Sequence, residues 1–257
     1  LTTPAAPPVV ARGLSKSFKS VVALQDVSLT VDDRQFVTIV GPSGCGKSTL
    51  LRLISGLIPA TAGDIRVRGR PVTAPITDVG MVFQSPVLMP WRSTLDNILF
   101  VAEMRGEAAS KYKTRALELI GLAGLAGFEE RRPHELSGGM QQRVAICRAL
   151  LLNPPLILMD EPFGALDVIT RERMGFELEK IWNVTKTTVI FVTHSISESV
   201  LLSDRIIVMS ARPGRISRTF DVDLPRPRGR DLLSHPAFVR LSAEVRACIE
   251  DASTAQA

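Results

Sequence analysis

Nine consecutive residues carry the densest chemistry in the chain: Gly41, Pro42, Ser43, Gly44, Cys45, Gly46, Lys47, Ser48 and Thr49. The apolar run Phe36-Val37-Thr38-Ile39-Val40 leads into them, and Leu50-Leu51-Arg52-Leu53-Ile54 leads out with helical character. A strand, a Gly-rich turn and a helix in that order make a phosphate cradle. Glycine lets the backbone turn tightly at 41, 44 and 46 and approach a ligand closely. Successive N–H groups then converge on an anion, backed by the positive end of the following helix. Lys47 would reach the β- and γ-phosphates as a point charge, and Ser48 would offer its hydroxyl to Mg²⁺. Cys45 occupies a free position of the loop and reads as filler.

Other polar groups follow apolar, strand-like runs. Asp160 and Glu161 follow Leu156-Ile157-Leu158-Met159, His194 follows the β-branched run from 188 to 193, and Gln84 follows the run from 79 to 83. In a parallel α/β sheet, ligands bind beyond the carboxyl ends of the strands. These groups would therefore meet the loop at one edge. Asp160 would hold Mg²⁺ directly or through water, and Glu161 would act as the general base on an attacking water. Gln84 would orient that water or the metal, and His194 would link the γ-phosphate to Glu161. Taken singly, an acidic pair is often a helix cap and a lone histidine is usually structural; their convergence on one edge argues for phosphoryl transfer to water. A second Gly-rich helix start, Leu136-Ser137-Gly138-Gly139-Met140-Gln141, can bind an anion through Ser137 and the N–H groups of Gly138 and Gly139. It lacks a lysine, and alone it reads as a capped helix.

The positioning elements follow from the pattern. Residues 9–18 and 27–31 read as strands of a small antiparallel sheet, and 36–40, 65–67, 79–83, 156–159, 188–192 and 205–209 as further strands. Helices are expected at 50–57, at 111–120, at 138–152 capped by Ser137, at 168–182, at 197–202 and at 236–252, with another capped by Ser93 or Thr94. Short apolar strands alternating with helices predict an α/β fold with a mostly parallel sheet covered on both faces. The expected organisation is a tail at 1–8, a core with its β subdomain at 9–85 and 156–225, an inserted helical subdomain at 86–155, and a linker and helix at 226–257.

Composition narrows the function. The chain has 257 residues, 45% of them hydrophobic, and a net charge of +5. A late arginine-rich stretch (Arg212, Arg215, Arg218, Arg226, Arg228, Arg230) lacks interleaved aromatics, so a solvated surface or a face near anionic lipid is expected and nucleic acid is not. Three cysteines with no CxxC spacing fit a reducing cytosol, with neither disulfides nor zinc. No run of about 18 apolar residues predicts a membrane span. The Pro- and Ala-rich start reads as a tail, not a signal peptide.

These motifs, in this order, resemble the nucleotide-binding subunit of an ABC transporter. Residues 41–49 resemble the Walker A motif, 156–160 the Walker B motif and 136–141 the signature motif, with Met140 where Gln is usual. Gln84 falls at the Q-loop, Ala165-Leu166-Asp167 at the D-loop, and His194 at the switch histidine. Phe18 falls where an aromatic residue, commonly Tyr, stacks on adenine. The resemblance covers about residues 9–225. It implies a P-loop NTPase (RecA-like) core that binds ATP and Mg²⁺ and hydrolyses ATP. It also implies a head-to-tail dimer, each ATP lying between one copy's Walker A loop and Ser137 to Gly139 of the other, with Asp167 nearby. The stretch Val82 through Trp91, the run Glu161 through Asp167 and the tail from Pro225 through Phe238 resemble the nitrate, sulfonate and taurine importer group. That implies a peripheral subunit on the cytoplasmic face of the inner membrane, working with permease subunits and an extracytoplasmic solute-binding protein. Trp91 would line the groove for the permease, or pack in the core. The alternative is a soluble ABC ATPase acting in translation or DNA repair.

Overall fold

A computed structural model describes residues 6–254; most of the expected tail lies outside the described residues. The elements run β1 (Val9–Phe18), β2 (Val21–Val31), β3 (Phe36–Val40), α1 (Lys47–Ile54), β4 (Ala62–Val67), β5 (Arg70–Pro71), β6 (Val79–Val82), α2 (Thr94–Met104), α3 (Lys113–Leu122) and α4 (Gly138–Leu150). They continue with β7 (Leu156–Asp160), α5 (Val168–Thr185), β8 (Thr188–Val192), α6 (Ile196–Leu202), β9 (Arg205–Met209), β10 (Ile216–Asp221) and α7 (Pro236–Thr254).

Two sheets result. One is antiparallel with order β2-β1-β4-β5; the other has order β10-β9-β3-β8-β7-β6. In the second, β9, β3, β8, β7 and β6 are all mutually parallel, and only the edge strand β10 runs antiparallel to its neighbour. Every residue of β3 and β8 is buried, as continuous apolar runs in a parallel sheet with two covered faces require. The period of two is still visible in what each face meets. Phe36, Ile157, Met159 and Phe191 pack toward the helices, including α2, α4 and α5. Val37, Ile39, Leu158 and Ile190 pack toward α1 and the antiparallel sheet. The six-stranded sheet is thus the middle layer between two apolar cores.

Several expectations are corrected. Helix α1 starts at Lys47, not Leu50, because Gly46 caps it in the left-handed region (φ 99°) and Leu50 N already donates to Gly46 O at 2.8 Å. Strand β2 starts at Val21, and β10 was not expected at all: of its six residues only Phe220 is buried, so its apolar signal is faint. Ser93, not Thr94, caps α2 by accepting from Asp96 N.

The larger correction concerns the linker expected from residue 226, which is not free chain, and the arginines, which are not simply a solvated face. Arg228 is buried and donates to the carbonyls of Val200, Leu201, Ser203 and Leu224 at 2.8–3.2 Å. Its burial pulls its pKa down to about 10. Arg226 stacks over Trp182 at 4.1 Å from the ring centroid and bonds Glu179, Asp204 and the Leu202 carbonyl. A guanidinium presents several donors in a planar fork, and here it acts as a staple for carbonyls at the end of α6. Arg228→Ala is expected to leave those carbonyls unpaired and open a cavity, at a cost of about 3 kcal/mol. That corresponds to a Tm lower by roughly 6–12 °C, read by thermal or urea melts; an unchanged Tm would show the staple to be dispensable.

Among the described residues, no helix is long and apolar enough to cross a membrane.

Candidate functional site

Sheet order decides what meets the loop. Strands β3, β8, β7 and β6 are consecutive neighbours. Their carboxyl ends therefore deliver, side by side, the loop, His194, the pair Asp160-Glu161 and Gln84. Glycine is required where the loop meets its surroundings: a Cβ on Gly41 would lie 2.6 Å from the Met209 carbonyl oxygen, and one on Gly46 2.6 Å from Leu24 Cδ2.

Lys47 is only 6% exposed. Its ammonium lies under the loop and donates to the carbonyls of Gly41 at 2.9 Å and Pro42 at 3.0 Å. A cation held there faces whatever the loop's N–H groups cradle. Ser48 Oγ donates to Asp160 Oδ1 at 2.8 Å across the sheet edge. Burial pushes the Asp160 carboxyl above its ordinary range, and the Ser48 bond opposes that shift. A hydroxyl and a carboxylate in contact are hard oxygen donors, the set that Mg²⁺ takes together with water and substrate phosphate. Among the described residues no group of three or more His, Cys, Asp or Glu could hold a metal, so Ser48 and Asp160 suit a shared Mg²⁺ and not an all-protein cage.

Glu161 has φ +46°, a left-handed conformation that a non-glycine residue seldom adopts. It is held there because its N–H donates to Val192 O at 2.9 Å and its carbonyl accepts from Gly164 N at 3.0 Å. Its carboxylate then meets the imidazole, with His194 Nδ1 and Glu161 Oε2 3.3 Å apart. Strained backbone imposed by the surrounding fold is a mark of functional sites. The Gln84 amide nitrogen lies against the same turn, 3.0 Å from where a Cβ on Gly164 would sit.

Lys47, Ser48 and Glu161 open onto a cavity of about 360 Å³, which Asp160, His194 and Gln84 do not line; Asp160 reaches it through Ser48 and His194 through Glu161. Ser43, Gly44, Gly46, Lys47, Ser48, Thr49 and Glu161 line its floor, and Phe18 with Val21 and Ala23 lines the rim supplied by the antiparallel sheet. Phe18 is 46% exposed, with the Lys16 ammonium over its ring at 5.0 Å from the centroid. Arg212, which motif reasoning did not place here, also lines the cavity; its Nε donates to the Gly44 carbonyl at 2.8 Å. Its only signal in the sequence was the Arg-Pro-Gly turn after an apolar run. The reading of Cys45 as filler fails. Its side chain is fully buried in the core, its Sγ lies 3.9 Å from Lys47 Nζ, and burial pushes its thiol up.

None of Ser137, Gly138, Gly139, Asp167 and Trp91 lines this cavity. Ser137 caps α4 by accepting from Met140 N at 3.3 Å. Gly138 and Gly139 sit against the other turn: Cβ atoms there would lie 3.5 Å from Leu166 Cδ2 and 3.0 Å from Thr170 Cγ2. Asp167 caps α5, accepting from Ile169 N and Thr170 N, with the Thr170 bonds holding its carboxyl below its ordinary range. Trp91 is 69% exposed, which excludes core packing for it.

An anion cradle, a buried ammonium, a metal-suited oxygen pair, a carboxylate–imidazole pair and a half-exposed aromatic ring together suit cleavage of a nucleoside triphosphate by water. Residues 24–164 match the family described as ABC transporter. The chain is 50% identical over 210 residues to an uncharacterized ABC transporter ATP-binding protein of Methanocaldococcus jannaschii, covering 82% of this chain and 79% of the relative. It is 46% identical to the taurine import ATP-binding protein TauB of Rhizobium johnstonii, covering 90% of both chains. It is also 46% identical to the aliphatic sulfonates import ATP-binding protein SsuB of Bacillus licheniformis, over 89% and 87%. Among solved structures, a dimeric ATP-binding cassette in a post-hydrolysis state with ADP and Pi matches with TM-score 0.72 and 33% identity, covering 84% of this chain and all of that one. Motif order, site geometry and these likenesses agree: the chain belongs to the ABC transporter family.

Proposed function

We propose that the chain is the ATP-binding and ATP-hydrolysing subunit of an ABC importer for a small oxyanion such as taurine, an aliphatic sulfonate or nitrate. The observation that carries the catalytic reading is that Lys47, Ser48 and Glu161 line one cavity, with Asp160 bonded to Ser48 and His194 beside the Glu161 carboxylate. ATP would stack its base on Phe18 and lay its phosphates in the loop over Lys47. Ser48, Asp160 and Gln84 would hold Mg²⁺, which when bound neutralises charge shared between the β- and γ-phosphates. Glu161 would take the proton of the attacking water. His194 would hold that carboxylate in place and bond the γ-phosphate. The solute class rests on the names of the relatives, which also argue against the non-transport alternative.

Ser137 and Asp167 find their roles in a second copy. Ser137 and Gly138 are exposed and lie outside the cavity of their own chain, so they would close the nucleotide of a head-to-tail partner. The exposed Trp91, with Val87 at 57% exposure, would meet a membrane permease on the cytoplasmic face of the inner membrane, with an extracytoplasmic binding protein delivering solute. On this reading residues 9–85 and 156–225 form the ATP-binding core, and 86–155 the helical part that carries the closing helix.

Phe18→Ala is expected to weaken ATP binding by about 1–2 kcal/mol, roughly 5- to 30-fold in Kd, while Phe18→Tyr retains it. Equal loss for tripolyphosphate would show that the ring does not meet the base. The function itself is tested by purifying the chain with its membrane partner in liposomes. Taurine, an alkanesulfonate or nitrate, presented with the binding protein, should stimulate ATPase activity; failure of any membrane protein to co-purify would overturn the importer reading.

A further inference from the structure

Two buried carboxylates take no part in the mechanism above: Glu179, which Arg226 pairs, and Glu198. Glu198 lies on α6 and is 6% exposed. Burying a carboxylate is costly unless it is paired and hydrogen-bonded, and here burial raises its pKa while Thr193 and Arg171 oppose the shift. The sequence suggests a plain use for it. Ser195 caps α6, accepting from Glu198 N at 3.3 Å, and Ser-x-x-Glu is the capping-box pattern, in which the glutamate reaches back to the cap's own N–H. The structure shows otherwise: Ser195 N donates to Thr193 Oγ1 at 3.0 Å. The carboxylate is free to turn elsewhere, and Glu198 Oε2 accepts from Thr193 Oγ1 at 2.5 Å. Glu198 thus holds the residues on both sides of His194, one through its carboxylate and one through its N–H.

Its second oxygen, Oε1, faces Arg171 Nε at 3.8 Å. Arg171, on α5, donates through Nη2 to the carbonyls of Leu166 at 3.0 Å and Gly164 at 3.4 Å. Gly164 N in turn donates to the Glu161 carbonyl, and the Glu161 carboxylate meets His194. The contacts close into a ring: Glu161, His194, Thr193, Glu198, Arg171, the turn at 164–166, and back to Glu161. Just beyond that turn, Val168 and Ile169 are 77% and 83% exposed, so the ring reaches a surface with apolar side chains open to a second copy.

We propose that Arg171 and Glu198 are a positioning pair, tying the turn at 164–166 to the His194 loop through Thr193 so that the imidazole stays beside Glu161. The inference rests on Glu161 and His194 serving ATP hydrolysis. Neither member touches the nucleotide; the pair sets where the imidazole stands, and misplacement of a reacting group by about 1 Å can cost as much as 100-fold in rate.

The test uses the chain assembled with its membrane partner. Glu198→Gln keeps the shape and an acceptor for Thr193 but removes the charge facing Arg171. Thr193→Val removes the hydroxyl link, and Thr193→Ser keeps it. Glu198→Gln and Thr193→Val are expected to lower kcat about 10-fold with KM and ATP affinity within twofold of the unmodified chain, and Thr193→Ser to restore the rate. In a His194→Ala background, Glu198→Gln is expected to cost less than a further twofold, because the group it positions is gone. A parallel fall in ATP affinity, no rescue by serine, or an equal loss in the His194→Ala background would overturn the proposal and leave the pair a fold contact only. An unmodified chain that hydrolyses ATP while Glu198→Gln matches it would overturn the pair's role alone. An unmodified chain without turnover would overturn the hydrolytic reading, and the pair's role with it.

Discussion

Glu161→Gln is expected to bind ATP as tightly as the unmodified chain and to hydrolyse almost none of it. The amide fills the same space and keeps an acceptor near His194 Nδ1, 3.3 Å away in the structure. What it loses is the capacity to take a proton from water, a contribution typically worth about 10²–10⁴ in rate. Binding should survive because the phosphate-facing groups, Lys47 and the loop N–H groups, are anchored independently of it. The left-handed backbone at 161 should survive too, since it is held by main-chain bonds to Val192 and Gly164. If closing of the Ser137 lid requires bound ATP and reopening requires its cleavage, this variant should accumulate as a nucleotide-loaded dimer. The measurements are single-turnover ATPase, ATP titration and sedimentation with and without ATP. Turnover at the unmodified rate would remove Glu161 as the base; a simultaneous loss of ATP binding would show that the carboxylate shapes the cavity instead.

Lys47→Ala is expected to have the opposite signature, failing at binding. The ammonium is nearly buried and fixed by two carbonyls of the loop it serves. Hydrogen bonds to a charged group are worth about 1.5–3 kcal/mol, so losing the charge that faces the phosphates should weaken ATP binding about 100-fold, or about 2.7 kcal/mol. The same change unties the arch at Gly41 and Pro42, so a melt without nucleotide separates the two effects. A modest fall in Tm together with a large loss of ATP affinity supports the phosphate role. An unchanged ATP Kd would contradict the assignment of the loop. Lys47→Arg should not rescue, because the planar guanidinium is bulkier than the ammonium that fits beneath the loop.

Much of this was open to reading from the sequence, for reasons that are local. A phosphate cradle needs glycines, a lysine and a hydroxyl at fixed spacing on one continuous stretch, and residues 41–49 supply them all. The buried parallel strands announce themselves as uninterrupted apolar runs, and polar residues placed just after such runs must emerge at one edge once the strands are parallel. So the pattern alone gathers Asp160, Glu161, His194 and Gln84 at one edge, and side-chain chemistry alone places Ser93 and Ser137 at helix starts.

Tertiary structure decided the rest, because those properties depend on what lies across a gap of many residues. Strand order put β8 between β3 and β7, and so brought Ser48 to Asp160, 112 residues away. Cys45 looked free because the loop pattern leaves its side chain unspecified; packing beneath the loop made it core. Arg212 and Arg228 read as surface charge, since nothing local says whether an arginine will find carbonyls; only the approach of the β9–β10 turn to Gly44, and of the segment after β10 to the end of α6, supplied them. Strand β10 exists because an open edge of the sheet was there to pair with, not because its own residues demand it. Glu198 carried a capping-box pattern, yet Thr193 Oγ1 takes the Ser195 N–H that the box would have offered, and the carboxylate accepts from Thr193 instead. Local chemistry determined which groups could act on phosphate; long-range packing determined which of them stand together, because contact across the sheet edge costs chain entropy that no short motif can specify in advance.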